Sequence, residues 1–441
     1  MPTREPNERL TLLFRETGWT ERQLAQAVNR VGVELGVPTR YRQSSAHQWL
    51  NGCLPKAVAR PLVLEAFARK LRRPVTPSMA GFPEGKPSET GAPSPIDGIV
   101  DLGLQDLSPS RRAVVGATLF SVALSVPDWP EVAGRTSLVQ QGDARRIGMP
   151  DVDLVRQMTG RLGDLYDDFG GRHARPMAAA FLVNTVTPYL RVDATESVRN
   201  AMVSAAALLC YLTGWMAVDE GLHGLAQRYY VKGLELAGAS ADHTTYCHIL
   251  RGMSVQAADL GHGAPAARLA TAASAAAPRS TPRMVAFFAG QQAHAHALAG
   301  EHANALHSLG QTEKALDRAE SPAGSFGGFN AATLAYATAQ VRYAMGDVAG
   351  SVASLEQHFP LRDSTDSQVS FLRFKSLLAE RQLEIGHLEA ACATWQEVFD
   401  GRPAMHSDRV DAHLRAVPAR LAPYRTNAVA RATYEQARAV V

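Results

Sequence analysis

Apolar residues recur at helical spacing along most of the 441-residue chain, and the N-terminal part predicts four short helices. A Thr20-x-x-Gln23 capping box begins the second helix, which is predicted to end near Leu35. Each helix has one apolar stripe suited to burial in a shared core. The residues of the four stripes are Leu10, Leu13, Phe14, Leu24, Ala25, Val28, Ala46, Trp49, Leu50, Val58, Leu62, Leu64, Ala66, Phe67 and Leu71.

The third predicted helix, within residues 43–52, combines a buried stripe with a polar face. Ala46, Trp49 and Leu50 lie at i, i+3 and i+4 and form the stripe. The other face carries short donors and acceptors, which are the side chains that read base edges in a DNA groove. They are Gln43, Ser44, Ser45, His47 and Gln48. The pattern therefore predicts a DNA-recognition helix, although an ordinary solvated surface has the same composition.

A second pattern dominates the chain from residue 149 onward. A turn with Gly is followed five or six residues later by Ala or Ser, and four residues after that by an apolar residue. The period is about 40 residues, which indicates units of two helices and a turn. An all-α fold with a C-terminal α-solenoid over residues 149–437 follows. The repeated sets are Gly221/Ala226/Tyr230, Gly261/Ala266/Ala270, Gly300/Ala305/Leu309, Gly346/Ser351/Leu355 and Gly386/Ala391/Trp395.

Composition divides the chain before the repeats. Residues 1–75 form the predicted N-terminal domain, and the Pro- and Gly-rich stretch that follows predicts a linker over residues 76–105. A connecting helical segment is predicted for residues 106–148. It contains a twin-arginine-like sequence, residues 110–127, whose internal position and short apolar run favour a buried helix over an export signal or a membrane span.

The distribution of charge separates the N-terminal domain from the rest. Residues 1–75 carry 13 Arg and Lys, six Glu and no Asp, which gives +7 in a chain whose net charge is only +3. A basic domain attached to a mildly acidic body is typical of a nucleic-acid-binding protein with a second function. The four cysteines are scattered, which argues against disulfides and zinc and favours the cytoplasm.

The motif Gln-Ser-x-Ala-x-x-Trp-Leu-x-Gly, preceded by Leu-Ala-x-x-Val, resembles the lambda-repressor/xenobiotic-response-element type of helix-turn-helix domain. The resemblance covers about residues 7–75. It implies that Gln43, Ser44 and Gln48 face bases, with His47 at the groove edge. It also implies phosphate contacts, which position a protein on DNA without specifying sequence. The residues expected to make them are Arg40, Arg42 and Lys56. The link between the second and third helices is longer than is usual in that family.

The repeats resemble tetratricopeptide repeats in a degenerate, long-period form, and HEAT-type repeats are the main alternative. Tetratricopeptide positions, carried over residue by residue, imply a concave surface that suits a peptide, small effector or protein. Packing against a neighbouring helix is the alternative for each residue. The expected lining residues are Tyr211, Trp215, His248, Arg251, Phe287, His294, Tyr336, Gln340, Arg373 and Glu380.

No sequence motif for catalysis or cofactor binding occurs, so neither an enzyme nor a metal site is expected. The histidines at 294 and 296 point to different sides of one helix and do not chelate a single ion from one face.

The layout resembles that of helix-turn-helix regulators with tetratricopeptide domains. It implies a homodimeric cytoplasmic transcriptional regulator that binds double-stranded DNA and no membrane. Its Arg- and Ala-rich composition favours an actinobacterial regulator type, with a role in differentiation or antibiotic production. The alternative is a protein-interaction scaffold that acts on another regulator and uses a degenerate helix-turn-helix for docking.

Overall fold

The computed structural model describes residues 6–34, 39–56, 59–71, 75–82, 95–107, 147–276, 281–319, 329–363 and 366–440, and every regular element in these ranges is helical. This confirms the all-α fold class and a helical repeat region. The N-terminal unit contains α1 (Glu8–Thr17), α2 (Glu21–Glu34), α3 (Gln43–Leu50) and α4 (Ala59–Leu71). Its own core is built from the apolar stripes of these helices, with Trp49 and Phe67 among the largest buried side chains.

The body follows the N-terminal unit and consists mainly of antiparallel helix pairs. One pair is interrupted by a π-helical turn, Leu182–Val186, between α7 and α8. The helices of the body are α5 (Pro95–Leu107), α6 (Met149–Phe169), α7 (Gly171–Phe181), α8 (Thr187–Leu190), α9 (Glu196–Asp219), α10 (His223–Ala239), α11 (His243–Asp259), α12 (Gly263–Ala275), α13 (Pro282–Leu298), α14 (His302–Asp317), α15 (Ala331–Ala344), α16 (Val348–His358), α17 (Gln368–Glu384), α18 (Leu388–Gly401), α19 (Asp408–Leu421) and α20 (Ala428–Val440).

The turns inside five of these pairs repeat one geometry. Each turn Gly of the sequence pattern has a positive φ, between +69° and +87°, and this left-handed conformation strongly favours Gly. The N–H of the residue after each Gly donates to the carbonyl five residues earlier, as in Leu222 to Ala217 at 2.8 Å and Glu301 to His296 at 2.9 Å. These bonds satisfy the last carbonyls of one helix and turn the chain into the next.

Small residues bring the paired helices close together. Ala226, Ala266, Ala305, Ser351 and Ala391, the second positions of the five repeated sets, are all fully buried. A larger side chain at those positions would push the two helices of a pair apart. Residue type at the turn and at the first crossing therefore determines where each pair forms.

Two parts of the predicted linker, residues 76–105, are packed in the structure. Residues 75–82 pack onto α1: Val75, Ala80 and Phe82 lie in the core of the N-terminal unit, and the Asn7 side chain donates to the Ala80 carbonyl at 2.9 Å. Residues 95–105 belong to α5, which the high Pro and Gly content of the region concealed. Its apolar positions give it a core-facing stripe that packs on the body. Nearly all of the predicted connecting segment, 106–148, lies outside the described residues.

α5 is attached to the body by apolar contacts and a buried polar cluster. Ile99 is fully buried, and α5 packs against α7 and α10. The Asp106 carboxylate accepts hydrogen bonds from the Arg175 guanidinium and, at 2.8 Å, from the Tyr229 hydroxyl. Arg175 also binds Glu220, with 2.5 Å from Nε to Oε1.

The first and last parts of the repeat array contact each other. The backbone N–H of His406 donates to the carbonyl of Phe169 at 3.0 Å. The buried carboxylate of Asp219 accepts from the Ser407 hydroxyl at 2.5 Å and from the Gly171 N–H at 2.9 Å. We call these contacts the closing seam. Two of them, Asp219 with Ser407 and Phe169 with His406, connect residues at least 188 positions apart, so the first helices of the pairs surround a central space.

One described helix is long and apolar enough to cross a membrane. In α9 the most apolar 18-residue window has a mean hydropathy of 1.7, and 78% of that window is buried inside the protein. α9 packs against α6, α7, α10 and α11, which is the environment of a core helix.

Candidate functional site

The surface of α3 divides as its apolar spacing predicted. Ala46, Trp49 and Leu50 are buried, with the Tyr41 ring packed edge-on at 5.0 Å from the Trp49 ring. The predicted DNA-facing side chains Gln43, Ser44, His47 and Gln48 are exposed, and Ser45 is half-buried. The Ser45 hydroxyl accepts a long bond, 3.4 Å, from the Arg42 N–H at the start of α3.

One side chain fixes the long connection between α2 and α3. The amide of Asn29 donates to the Tyr41 carbonyl at 2.8 Å and accepts from the Tyr41 N–H at 2.8 Å. It also accepts from the Thr39 hydroxyl at 2.9 Å. These three bonds hold the residues before α3 against α2. Asn29 was not predicted, since a single Asn within an amphipathic helix has no recognisable motif.

A carboxylate lies beside the exposed face of α3. Glu21 Oε1 is 2.8 Å from His47 Nδ1, and Glu21 Oε2 accepts from the Gln43 amide at 3.3 Å. The hydrogen bond from His47 is the main cause of a lowered pKa at Glu21. Two of the predicted base-reading side chains are therefore oriented by an anion that the sequence analysis did not single out.

The predicted phosphate-binding residues Arg40, Arg42 and Lys56 are all exposed. Arg40 and Arg42 precede α3 directly, and Lys56 lies in the segment between α3 and α4. Basic side chains thus occur on both sides of α3 in the sequence, while its exposed face carries amide and hydroxyl groups and His47, with Glu21 of α2 beside it.

A cavity of about 260 Å³ lies in the repeat array, lined from seven helix pairs; we call it the central cavity. The first helix of every pair from α6 to α19 contributes to it, as the repeat resemblance implied. Its lining residues are Tyr166, Trp215, Arg251, Val255, Asp259, Gln291, His294, Thr333, Tyr336, His358, Arg362, Asp366, Ser367, Val369, Ser370, Arg373, Phe374 and Arg409.

A wider opening of about 810 Å³ adjoins the central cavity, and we call it the outer groove. The two share four lining residues, Asp259, His294, Arg373 and Arg409. The outer groove adds side chains from α17 and α19, including Glu380, Arg415 and Arg420. The two spaces are therefore adjacent, with the ion cluster of Asp259, Arg373 and Arg409 common to both.

The ten residues predicted to line a concave surface fall into two groups. Seven line the central cavity or the outer groove: Trp215, Arg251, His294, Tyr336, Gln340, Arg373 and Glu380. The other three, Tyr211, His248 and Phe287, are buried and contact each other or neighbouring rings, such as His248 on Phe287 at 4.8 Å. Packing against neighbouring helices, the stated alternative, describes these three.

Asp259, the last residue of α11, connects three helices at the centre of the site. One carboxylate oxygen accepts from Arg373 at 2.6 Å and the other from Arg409. Burial opposes ionisation of this carboxyl, but the two guanidinium groups outweigh it and lower its pKa. Neither Asp259 nor Arg409 was predicted, because no local motif relates residues 150 positions apart.

The histidines of the central cavity are neutral near pH 7. Burial lowers the pKa of His294 to about 4, and burial also lowers the pKa of His358. Positive charge in the cavity is therefore carried by arginines. Across the described parts of the chain, no group of three or more His, Cys, Asp or Glu is arranged to hold a metal ion.

One family model matches the chain, over residues 10–83, and it is described as the SP15 N-terminal domain. The matched segment coincides with the N-terminal unit and ends where residues 75–82 complete its core. No curated protein matches the chain. Similarity to this model is thus confined to the unit that carries α3.

Proposed function

We propose that this protein is a sequence-specific DNA-binding transcriptional regulator whose helical repeat binds an effector or a protein partner. The observation that carries the proposal is α3, a helix with a buried apolar stripe and an exposed row of Gln and Ser side chains. Such side chains pair with base edges in the major groove. In this function α3 enters the groove, while Arg40, Arg42 and Lys56 bind phosphates.

The proposed regulator is a cytoplasmic homodimer. One eight-residue helix contacts only a few base pairs, and two such helices provide the specificity that a single site in a genome needs. The repeats are proposed to be tetratricopeptide-like, and ligand binding between them shifts the population of arrangements of the two DNA-binding units. A role in differentiation or antibiotic control belongs to the same proposal.

Selection from a random-sequence duplex library tests base reading directly. The full chain should enrich a sequence motif, and the double variant Gln43→Ala, Gln48→Ala should lose that motif while it keeps non-specific affinity. Each lost base contact costs about 1–3 kcal/mol of discrimination. If the wild-type chain enriches no motif at physiological salt, the proposed sequence-specific function is wrong.

The phosphate contacts are tested by the salt dependence of binding. The double variant Arg40→Ala, Arg42→Ala should reduce the slope of log K against log salt by about 1.8, since each contact contributes about 0.9. Arg15 and Lys70, which are exposed on α1 and α4, provide a matched control with the same loss of charge. Equal changes in both double variants would show that net charge alone governs binding.

Glu21 favours a second candidate function, a scaffold whose N-terminal unit docks on a protein. A carboxylate beside α3 repels DNA phosphates, and it holds Gln43 and His47 in place in the absence of DNA. Glu21→Gln distinguishes the candidates. The DNA-binding function predicts a higher DNA affinity for this variant, whereas docking through Glu21 predicts an unchanged, weak DNA affinity and the loss of a partner protein.

A further inference from the structure

The central cavity contains more cationic than anionic side chains. Arg373 and Arg409 share the single carboxylate of Asp259. Arg251 forms no ion pair among the described residues. Its guanidinium stacks on the Phe287 ring, 3.7 Å from the ring centre, and its Nε donates a long bond of 3.4 Å to the Phe287 carbonyl.

An arginine in this position has an incomplete set of partners. A guanidinium offers five N–H donors, and the contacts of Arg251 with protein satisfy one of them. Burial lowers the pKa of Arg251, which shows that its surroundings disfavour the positive charge. Arg251 is half-buried and lines the central cavity, and an anion bound there would be the complementary partner for its remaining donors.

The walls of the cavity show what else the ligand contains. Tyr336 and Phe374 stack with their ring centres 3.8 Å apart, and Trp215 lies on the α9 side. These rings suit an apolar or aromatic group. Thr333 and Ser370 add neutral hydroxyl groups.

The His358 ring has a hydrogen-bond acceptor that a ligand could satisfy. It is 3% exposed, and its Nδ1 donates to the Ala332 carbonyl at 2.7 Å, so that Nε2 carries the lone pair. Nε2 has no hydrogen-bond partner in the described part of the chain. A buried acceptor without a donor is unfavourable, and an N–H or O–H of a ligand would complete it.

We propose that the central cavity binds a monocarboxylate that has an adjacent apolar or aromatic group, with the carboxylate at Arg251. The proposal rests on the effector-binding role proposed above and names the chemistry of the effector. A doubly charged phosphate is disfavoured, because the carboxylates of Asp259 and Asp366 also line the cavity. Arginine binds a carboxylate through two parallel hydrogen bonds.

The carboxylate has two possible sources, a small organic acid or the C-terminus of a peptide. Ligand pockets of proteins typically measure about 300–1,000 Å³, so the central cavity alone accommodates one small acid or one terminal residue. A peptide would extend into the outer groove and contact residues such as Arg415 and Arg420, whereas a small acid would not.

Calorimetric titration of the full chain without DNA tests the proposal. The probes are N-acetyl-phenylalanine and N-acetyl-tryptophan, each with its amide, and a library of N-acetylated pentapeptides with aromatic C-terminal residues as acids and as amides. We expect acids to bind at least 10-fold more tightly than the matched amides. Binding of the single-residue acids as tight as that of the pentapeptides identifies a small acid, whereas binding of pentapeptide acids alone identifies a C-terminus.

Variants of Arg251 test whether the carboxylate binds at this side chain. Arg251→Gln should weaken acid binding at least 10-fold, and Arg251→Lys should restore part of it. Arg268→Gln, an exposed arginine on α12 that lines neither space, is the matched control and should bind as the wild type does. Circular dichroism confirms that each variant is folded.

Three results would overturn the proposal: no acid binds at 1 mM probe, acids and amides bind equally, or Arg251→Gln binds acids as the wild type does. None of these results bears on motif enrichment by the N-terminal unit, so a failure here is distinguishable from a failure of the proposed DNA-binding function.

Discussion

Asp259→Asn replaces the carboxylate that holds Arg373 and Arg409 with a neutral group of the same shape. The variant leaves two guanidinium groups near each other without an anion. Removal of one partner from a buried ion pair costs about 3–5 kcal/mol. The Asp259 side chain keeps 19% of its surface exposed, so water offsets part of this cost and we expect about 2–4 kcal/mol.

A double-mutant cycle separates the ion pair from other effects of the substitution. The four proteins are the wild type, Asp259→Asn, Arg409→Gln and the double variant, each unfolded in urea and followed by circular dichroism. Since Arg409→Gln removes one of the stranded charges, the double variant should be more stable than the sum of the single effects predicts. We expect a coupling energy of at least about 1 kcal/mol.

An exposed pair provides the control for this cycle. Arg156 and Asp153 on α6 are 3.6 Å apart, and about half of each side chain is exposed. The corresponding cycle should give no more than about 0.5 kcal/mol, as exposed pairs do. If the Asp259 and Arg409 substitutions are additive within that margin, pairing of Asp259 with Arg409 does not stabilise the closed array.

Three further predictions concern single substitutions. Asn29→Ala removes three hydrogen bonds before α3, so we expect the free energy of unfolding of the N-terminal unit to fall by about 2–3 kcal/mol and DNA binding to weaken. Hydrogen exchange of residues 21–50 measures the change in stability. Unchanged exchange would contradict the role of Asn29. Burial lowers the pKa of His248 to about 4, so its contribution to stability is complete above pH 6.5 and falls by about 1.4 kcal/mol per pH unit toward pH 4. The stability difference between wild type and His248→Gln should shrink accordingly in urea titrations at pH 7, 6 and 5, and a constant difference would refute this. Gly300→Ala has free space around its new methyl group but a φ of +80°, so it should cost about 1–2 kcal/mol in urea unfolding, and a neutral effect would show that the turn adapts.

Local sequence pattern predicts the helix pairs because each pair is specified by nearby residues. Gly221 ends one helix in a left-handed turn, and Ala226 allows the next helix to pack closely five residues later. The same spacing recurs at Gly386 and Ala391. Turn conformation and close packing both depend on residues within one unit, so the units are readable from sequence alone.

The α3 helix was predictable for the same reason, but its surroundings were not. Its buried stripe depends on three residues within one turn and a half of helix. The contacts of Asn29 with Thr39 and Tyr41, and of Glu21 with His47, connect residues 10 to 26 positions apart. Hydrophobic periodicity does not predict such contacts. The hydrogen bonds of Asn29 and the Glu21 carboxylate beside α3 are therefore seen only in the structure.

The central cavity depends on contacts between distant residues, which the sequence pattern does not predict. Residues such as Arg251 and Tyr336, which the repeat positions place on the first helices of their units, line the central cavity. Closure of the array depends on Asp219 and Ser407, which are 188 positions apart, and on small rotations between successive pairs that accumulate over seven units. Sequence spacing does not specify those rotations.

Polar contacts connect the closing seam to α5, the described helix that follows the N-terminal unit in the chain. Asp219 joins the closing seam, the adjacent Glu220 binds Arg175, and Arg175 binds Asp106 at the end of α5. These contacts and the Asp219–Glu220 backbone join the seam to α5, and α5 follows Phe82 of the N-terminal unit after twelve residues. These contacts transmit ligand binding only if the ligand changes the stability of α5. The rate of hydrogen exchange in α5 should therefore change when a carboxylate probe binds. Exchange that is the same with and without the probe would show that α5 only anchors the N-terminal unit to the body.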